Sequence, residues 1–235
     1  YHAGLVAKEL LEEHADVRVT AEYSHEYVFD GGRDPWRTLV VAVTQSGETA
    51  DTLSAVEEAN RNGAKTLAVT NTVGSTVTRE ADETIYIRAG PEIGVAATKT
   101  FVSQVATLGL LTVYVGRTRG PLASERASEI LEDIRRLPGS IQQVLDNEEN
   151  VRRAAEEYAD SDAFFYIGRK LGHPVSLEGA LKLKEVSYDH AEGFPAGELK
   201  HGPLALVTRD TTAVAVLTRG TRPDETLNNI KEAKS

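Results

Sequence analysis

Thr38 to Val43 reads TLVVAV, a charge-free run rich in β-branched residues. It is too short for an ordinary helix and lacks the polar–apolar alternation of a strand with one wet face. It suits a strand buried on both faces, as in a parallel sheet. Parallel neighbours cannot be joined by a hairpin, so a crossover must follow, usually a helix. The sequence supplies one: Thr44-Gln-Ser-Gly-Glu-Thr49, then a helical stretch to Asn62, stopped by Gly63. The pattern then repeats. Thr66–Thr70 (TLAVT) predicts a second strand, Ser75–Ala81 a short helix, Thr84–Arg88 a third strand and Gly94–Val115 a long helix. Upstream, Leu5, Val6, Leu10 and Leu11 have helical spacing over residues 3–13, Asp16–Ala21 reads as a short strand, and Asp30–Pro35 is a turn cluster.

Gly116–Gly120 and Pro121 mark a boundary, and residues 121–160 are charged and helix-patterned. The strand–helix alternation then restarts: Ala163–Ile167 (AFFYI) as strand, Gly168 as turn, Val175–His190 as helix, Thr212–Leu217 (TAVAVL) as strand and 224–233 as helix. The expected architecture is α/β: a first subdomain over 1–120, a helical connector over 121–160 and a second subdomain over 161–235. Each is expected to be a parallel sheet flanked by helices.

Composition narrows the functions open to such a fold. With 36 acidic and 26 basic residues the net charge is −10, which opposes a nucleic-acid grip. The chain has no cysteine, which excludes disulfides, thiolate metal sites and a cysteine nucleophile. Acid excess with 17 Arg against 9 Lys points to a salt-loving source. The uncharged run Thr100–Gly116 is only about as long as the shortest membrane span and carries Ser103 and Gln104, so it reads as a buried core helix. No targeting segment is visible, and a soluble cytoplasmic protein is expected. The chain starts at Tyr1 and has no Met, so it reads as a piece of something longer.

Three places carry candidate chemistry. Thr44-Gln45-Ser46-Gly47-Glu48-Thr49 lies between a buried strand and a helix, where open α/β sheets bind ligands. The helix start offers unpaired N–H groups, Thr44, Ser46 and Thr49 add hydroxyls, and Gly47 permits close backbone approach. There is no lysine of a Walker A loop, so the cradle suits a sugar phosphate; the alternative is ordinary helix capping. Second, Glu178, Lys182, Glu185 and Asp189 fall within a stripe about 60° wide on an otherwise largely apolar helix. Such charges face a cleft and suit proton transfer, or are surface i,i+4 pairs. Third, Ala196-Gly-Glu-Leu-Lys-His-Gly-Pro203 is a loop that presents His201, a group able to titrate near neutrality or simply solvated; His2, His14, His25, His173 and His190 read as ordinary histidines. Gly90–Lys99 is a further glycine-punctuated turn into a helix.

Thr44–Thr52 (TQSGETADT), Glu92–Lys99 (EIGVAATK), Leu177–Glu185 (LEGALKLKE) and Gly197–Pro203 (GELKHGP) occur in this order. Together they resemble the isomerase half of the glutamine–fructose-6-phosphate aminotransferase (isomerizing) family, the glucosamine-6-phosphate synthases. That half is a tandem of two flavodoxin-like, three-layer sugar-isomerase (SIS) domains, and the resemblance covers essentially the whole chain. It implies conversion of fructose 6-phosphate and glutamine-derived ammonia to glucosamine 6-phosphate for amino-sugar (UDP-GlcNAc) biosynthesis, with no cofactor and no metal. Thr44, Gln45, Ser46 and Thr49 match the family's phosphate loop. Val95 and Ala97 match positions lining the sugar site, with Ala97 where many relatives carry Ser. Glu185 matches the base that moves a proton between C1 and C2, Lys182 a lysine beside it, and Glu178 a nearby carboxylate. His201 matches a histidine linked to ring opening that reaches the neighbouring subunit, which implies a homodimer with shared sites. The resemblance also implies a glutaminase domain upstream, a serine-bearing first loop before Tyr1 and an imine-forming lysine beyond Ser235, so this stretch alone is expected to be inactive. A related SIS deglycase or isomerase, or a non-catalytic phosphosugar-binding SIS module, are the other readings.

Overall fold

A computed structural model describes residues 1–29, 34–218 and 222–233. It divides into two compact units: Tyr1 with Ala3–Val115, and His2 with Gly116–Ser235.

The chain opens with α1 (His2–Ala15), which belongs to the first unit from Ala3 on. Then come β1 (Leu39–Val43), α2 (Ala50–Arg61), β2 (Lys65–Thr70), α3 (Val77–Glu80), β3 (Glu83–Tyr86) and α4 (Lys99–Arg119). The strands form a parallel sheet in the order β1-β2-β3, with Val43 opposite Val69 and Leu67 opposite Glu83. β2 is buried from Thr66 to Thr70. Its successive side chains serve opposite faces, as the pleat requires. Val69 packs with Ala3, Ala7, Ile87 and Leu108 from the α1 and α4 side. Ala68 packs with Val56 and Val77 from the α2 and α3 side. Apolar burial on both faces is what the charge-free strand runs encode.

The second unit holds α5 (Ser124–Asp146), α6 (Glu148–Tyr158), β4 (Ala163–Gly168), α7 (Gly172–Ser187), β5 (Ala191–Pro195), β6 (Thr211–Val216) and α8 (Pro223–Ala233). Its sheet is parallel in the order β5-β4-β6. α7 lies unusually close to this sheet. A Cβ on Gly193 would stand 2.8 Å from the Leu177 Cα, and one on Gly179 would stand 2.9 Å from the Tyr166 ring. Ala127 is the one buried residue of α5 and none is buried in α6, so the 121–160 region is helical and largely exposed.

Several elements differ from the sequence expectation. Asp16–Ala21 forms no strand: α1 ends on Asp16 in a left-handed conformation (φ 48°), and no described strand pairs with the segment. Its residues alternate between exposed and half-buried, so the strand-like pattern is present without a hydrogen-bonding neighbour. α4 starts at Lys99 rather than Gly94. β3 ends at Tyr86, ahead of Arg88, whose φ is 52°. α3 is a single turn, Val77–Glu80. α7 starts at Gly172 and stops at Ser187, because Tyr188 turns left-handed (φ 67°), which leaves Asp189 and His190 outside the helix. β5 was not anticipated. Asp30–Arg33 of the turn cluster lies outside the described residues; Pro35–Arg37 form a 3₁₀ turn capped by Asp34, which accepts from the Trp36 amide.

Gly168, the last residue of β4, has no room for a side chain. A Cβ there would lie 2.2 Å from the Gly172 carbonyl oxygen and 2.7 Å from Ser176 Oγ. Gly168→Ala is therefore expected to destabilise the second unit by about 1–3 kcal/mol, the usual cost of forced overpacking. Gly4→Ala, in α1 with nothing within 4 Å of the added methyl, should instead stabilise by roughly 0.5–1 kcal/mol. Thermal melts of the two variants check both signs.

Candidate functional site

The carboxyl end of the first sheet gathers three loops. Residues 44–49 leave β1, 71–76 leave β2, and 87–98 leave β3. Backbone and side-chain bonds knit them together. The Gln45 carbonyl accepts from the Asn71 amide (3.1 Å) and the Thr70 hydroxyl (3.2 Å). Asn71 in turn accepts from the Ala89 amide (2.9 Å) and donates to the Gly90 carbonyl (2.7 Å). Thr44 is buried, and its hydroxyl accepts from the Gly47 amide (3.1 Å). Gly47 has φ +70°, and a Cβ on it would collide with Ser75 Oγ at 2.3 Å and Val77 Cγ1 at 2.8 Å. Only glycine fits there. Glu48 braces the loop from outside: its carboxylate accepts from the Thr76 amide (2.8 Å) and hydroxyl (2.7 Å). Those bonds lower its pKa.

This loop opens α2. Thr49 sits at its N-cap position, yet its side chain makes no capping hydrogen bond. Ser46 accepts from the Glu48 amide at 3.3 Å, a bond inside the loop rather than to the helix. Simple capping therefore does not account for these hydroxyls. The first-turn amides and the positive end of the helix dipole remain directed at the loop, an arrangement suited to an anion.

Val95 and Ala97 lie on the third loop. Val95 is 99 % exposed, so its side chain packs against nothing, while Ala97 is half-buried. Glu92 fixes this loop by accepting from the Thr100 amide (3.0 Å), the Thr98 hydroxyl (3.1 Å) and the Thr98 amide (3.4 Å). Its carboxyl is pushed down to about 2. The Thr100 hydroxyl contributes most, although it faces the carboxylate without a well-formed hydrogen bond; the Thr100 amide and Thr98 add to it.

In the second unit, α7 carries Glu178, Lys182 and Glu185 side by side. The Lys182 ammonium lies 3.4 Å from Glu178 Oε1 and forms a short ion pair with Glu185 Oε2. His2, which groups with this unit, places Nδ1 2.7 Å from Glu178 Oε2. Burial raises the Glu178 pKa, but the His2 hydrogen bond and the Lys182 charge outweigh it, and the net shift is downward. Asp189 is not part of the stripe. His201 is exposed on the loop after β5, its backbone amide bonded to the Glu198 carbonyl (2.9 Å).

Sequence reasoning missed His2, Asn71 and Glu92 as members of these clusters. Glu92 and Asn71 each follow a predicted strand, so position alone marked them; nothing local marked His2. Among the described residues no group of three or more His, Asp or Glu forms a metal cluster. An apolar groove formed by Leu67, Ile85, Leu110, Leu111 and Tyr114 includes Leu39 and Lys65 at the amino ends of the strands, opposite the loops.

Parallel sheets flanked by helices, with the loops of the first sheet gathered at the strand carboxyl ends, place the chain in the α/β class. The chain belongs to the SIS-domain family, which it matches over residues 1–114 and 157–235. It is 64% identical over its whole length to a glutamine–fructose-6-phosphate aminotransferase (isomerizing) of Halobacterium salinarum and 46% identical to that of Thermus thermophilus, spanning 39% of each. Its fold superposes with a TM-score of 0.93 on the C-terminal domain of glucosamine-fructose-6-phosphate aminotransferase from Francisella tularensis, at 34% identity, covering 100% of this chain and 66% of that one. A glucosamine-6-phosphate deaminase of Thermotoga maritima shares the fold at TM-score 0.79 and 23% identity.

Glu92 gives a pH test. A depressed carboxyl stabilises above its unfolded pKa, and that contribution is lost as pH falls through the folded value. The Thr98 and Thr100 amide resonances are expected to shift with a midpoint near 2. A midpoint at an ordinary Glu value, about 4.3, would show that the clamp is open in solution. Gly47→Ala should displace the 44–49 loop from Ser75 and Val77 while leaving the second unit's melting unchanged.

Proposed function

We propose that this chain supplies the sugar-phosphate isomerase chemistry of a glucosamine-6-phosphate synthase. The observation that carries the reading is the 44–49 loop: an uncapped helix start, hydroxyls at Thr44, Ser46 and Thr49, and a glycine that nothing else can replace. It suits the phosphate of a hexose 6-phosphate, whose binding energy positions the reacting carbons. The identity to the aminotransferases supports the same substrate, fructose 6-phosphate, and the same product, glucosamine 6-phosphate.

The proton transfer falls to α7. Glu185 takes a proton from C1 of the open-chain C2 imine; the C1–H electron pair becomes the second C1–C2 bond of the enaminol while the C2=N pair moves to nitrogen, which takes up a proton; the carboxyl proton then returns to C2 on that C1–C2 pair as the C1 hydroxyl loses its proton and becomes the carbonyl, giving the aldose. One carboxylate suffices for both steps. Lys182 lies between the two carboxylates, ion-paired with Glu185 and 3.4 Å from Glu178, which His2 also holds. His201 assists ring opening. Gln45, Val95 and Ala97 line the sugar site through the loops they sit on. The homodimer with shared sites, the upstream glutaminase domain and the cytoplasmic location follow from the same reading. Among the described residues no helix is long and apolar enough to cross a membrane.

A thermal-shift titration of the chain with fructose 6-phosphate, against inorganic phosphate, tests the binding half: at a hundredfold excess over Kd the stabilisation should reach about 2.7 kcal/mol. Phosphate performing equally well would reduce the loop to a generic anion site. The catalytic half is tested in the protein of natural length. Glu185→Gln is expected to lower kcat by roughly 10²–10⁴ with substrate binding kept; surviving turnover would remove Glu185 from the role.

A further inference from the structure

The loop that presents His201 rests on an arginine that the mechanism above does not use. Arg169 follows β4 directly, and its side chain is 28% exposed. Its guanidinium makes a three-way junction. Nε and Nη2 both donate to Asn229 Oδ1, at 3.3 and 3.0 Å. Nη1 lies 3.0 Å from Glu225 Oε2. Both partners belong to α8, and Asn229 is buried. On its other side the guanidinium supports Gly197: a Cβ there would stand only 3.2 Å from Nη2. Gly197 lies in the 3₁₀ turn Ala196–Glu198. The Glu198 carbonyl at the end of that turn accepts from the His201 amide (2.9 Å), and the Leu199 carbonyl accepts from the Leu204 amide (2.7 Å). Beneath the loop, Ala196 and Leu199 are buried with Ile167 of β4, and Ile230 of α8 packs against them.

We propose that Arg169 is a positioning residue for His201, its guanidinium tying α8 to the backbone of the 196–201 loop. The catalytic consequence rests on the role given to His201 above; the clamp itself does not. The geometry requires an arginine. A lysine would keep one charged contact to Glu225 but lose the forked donation to Asn229 and the flat surface under Gly197. The Glu225 end of the ion pair is exposed and adds little to global stability; on this proposal the junction's value lies in fixing the loop.

The test compares Arg169→Gln and Arg169→Lys in the protein of natural length by amide exchange and steady-state kinetics. The His201 and Leu204 amides should exchange about tenfold faster in Arg169→Gln and by an intermediate factor in Arg169→Lys. The Phe164 amide, bonded to the His190 carbonyl at the start of β4, should be unaffected. kcat should fall with the KM for fructose 6-phosphate unchanged. Unchanged exchange at 201 and 204 would overturn the clamp, whatever turnover does. Faster exchange across β4, β5 and β6 together would also overturn it, since that is ordinary destabilisation. Faster exchange confined to the loop with unaltered kcat would keep the clamp and overturn the role of His201.

Discussion

Parallel pairing of a strand buried on both faces is the constraint from which the rest follows. β2 hydrogen-bonds β1 on one side and β3 on the other, all in one direction. Each strand must therefore be followed by a crossover on one face or the other, and all three departing loops emerge at the same edge. Loops thrown together in this way must satisfy one another's backbone groups. The Gln45 carbonyl and the Asn71 carboxamide do so, bridging the first loop to the second and the second to the third. The same geometry that closes the sheet's hydrogen bonds aligns the start of α2 with the 44–49 loop.

Close approach is the second recurring device. Gly47, Gly168, Gly179 and Gly193 each stand where a methyl would penetrate a neighbour. At Gly47 the approach seats the loop on Ser75 and Val77; at Gly179 and Gly193 it presses α7 onto its sheet. The face of α7 turned to the sheet is accordingly small or apolar, with Ser176 and Ala180 buried; Val175, Lys184 and Val186 are exposed, and Glu178, Lys182 and Glu185 form a separate cluster.

Much of this is legible in the sequence because both faces of the strands are apolar: TLVVAV, TLAVT and AFFYI mark β1, β2 and β4, and TAVAVL marks β6. β5 escaped because its residues are Ala191-Glu-Gly-Phe-Pro195, with a glycine demanded by Leu177 and a proline at its end; packing imposes both, and both argue against a strand locally. Asp16–Ala21 failed in the opposite direction. Its alternation is real, but a strand needs a hydrogen-bonding neighbour, which no local pattern encodes. The end of α7 turned on a left-handed Tyr188, a conformation with no strong residue signature outside glycine and asparagine. The loops of the candidate site were visible as strand-to-helix turns; the side chains that hold them, Glu92, Asn71 and Arg169, act over distance and were not.

The three clustered charges of α7, Glu178, Lys182 and Glu185, are not equivalent, and their surroundings differ. Lys182 is shared by two carboxylates. Glu178 is the more enclosed, with a side chain 12% exposed against 33% for Glu185, and it has a second partner in His2. A carboxylate held by a histidine and a lysine in a half-buried setting is harder to protonate than a free one. Glu185 pairs with Lys182 and stands near the helix end, the more exposed of the two carboxylates. A proton shuttle must be free to accept and release, and of the two carboxylates Glu185 has the more open surroundings, which fits the role proposed for it.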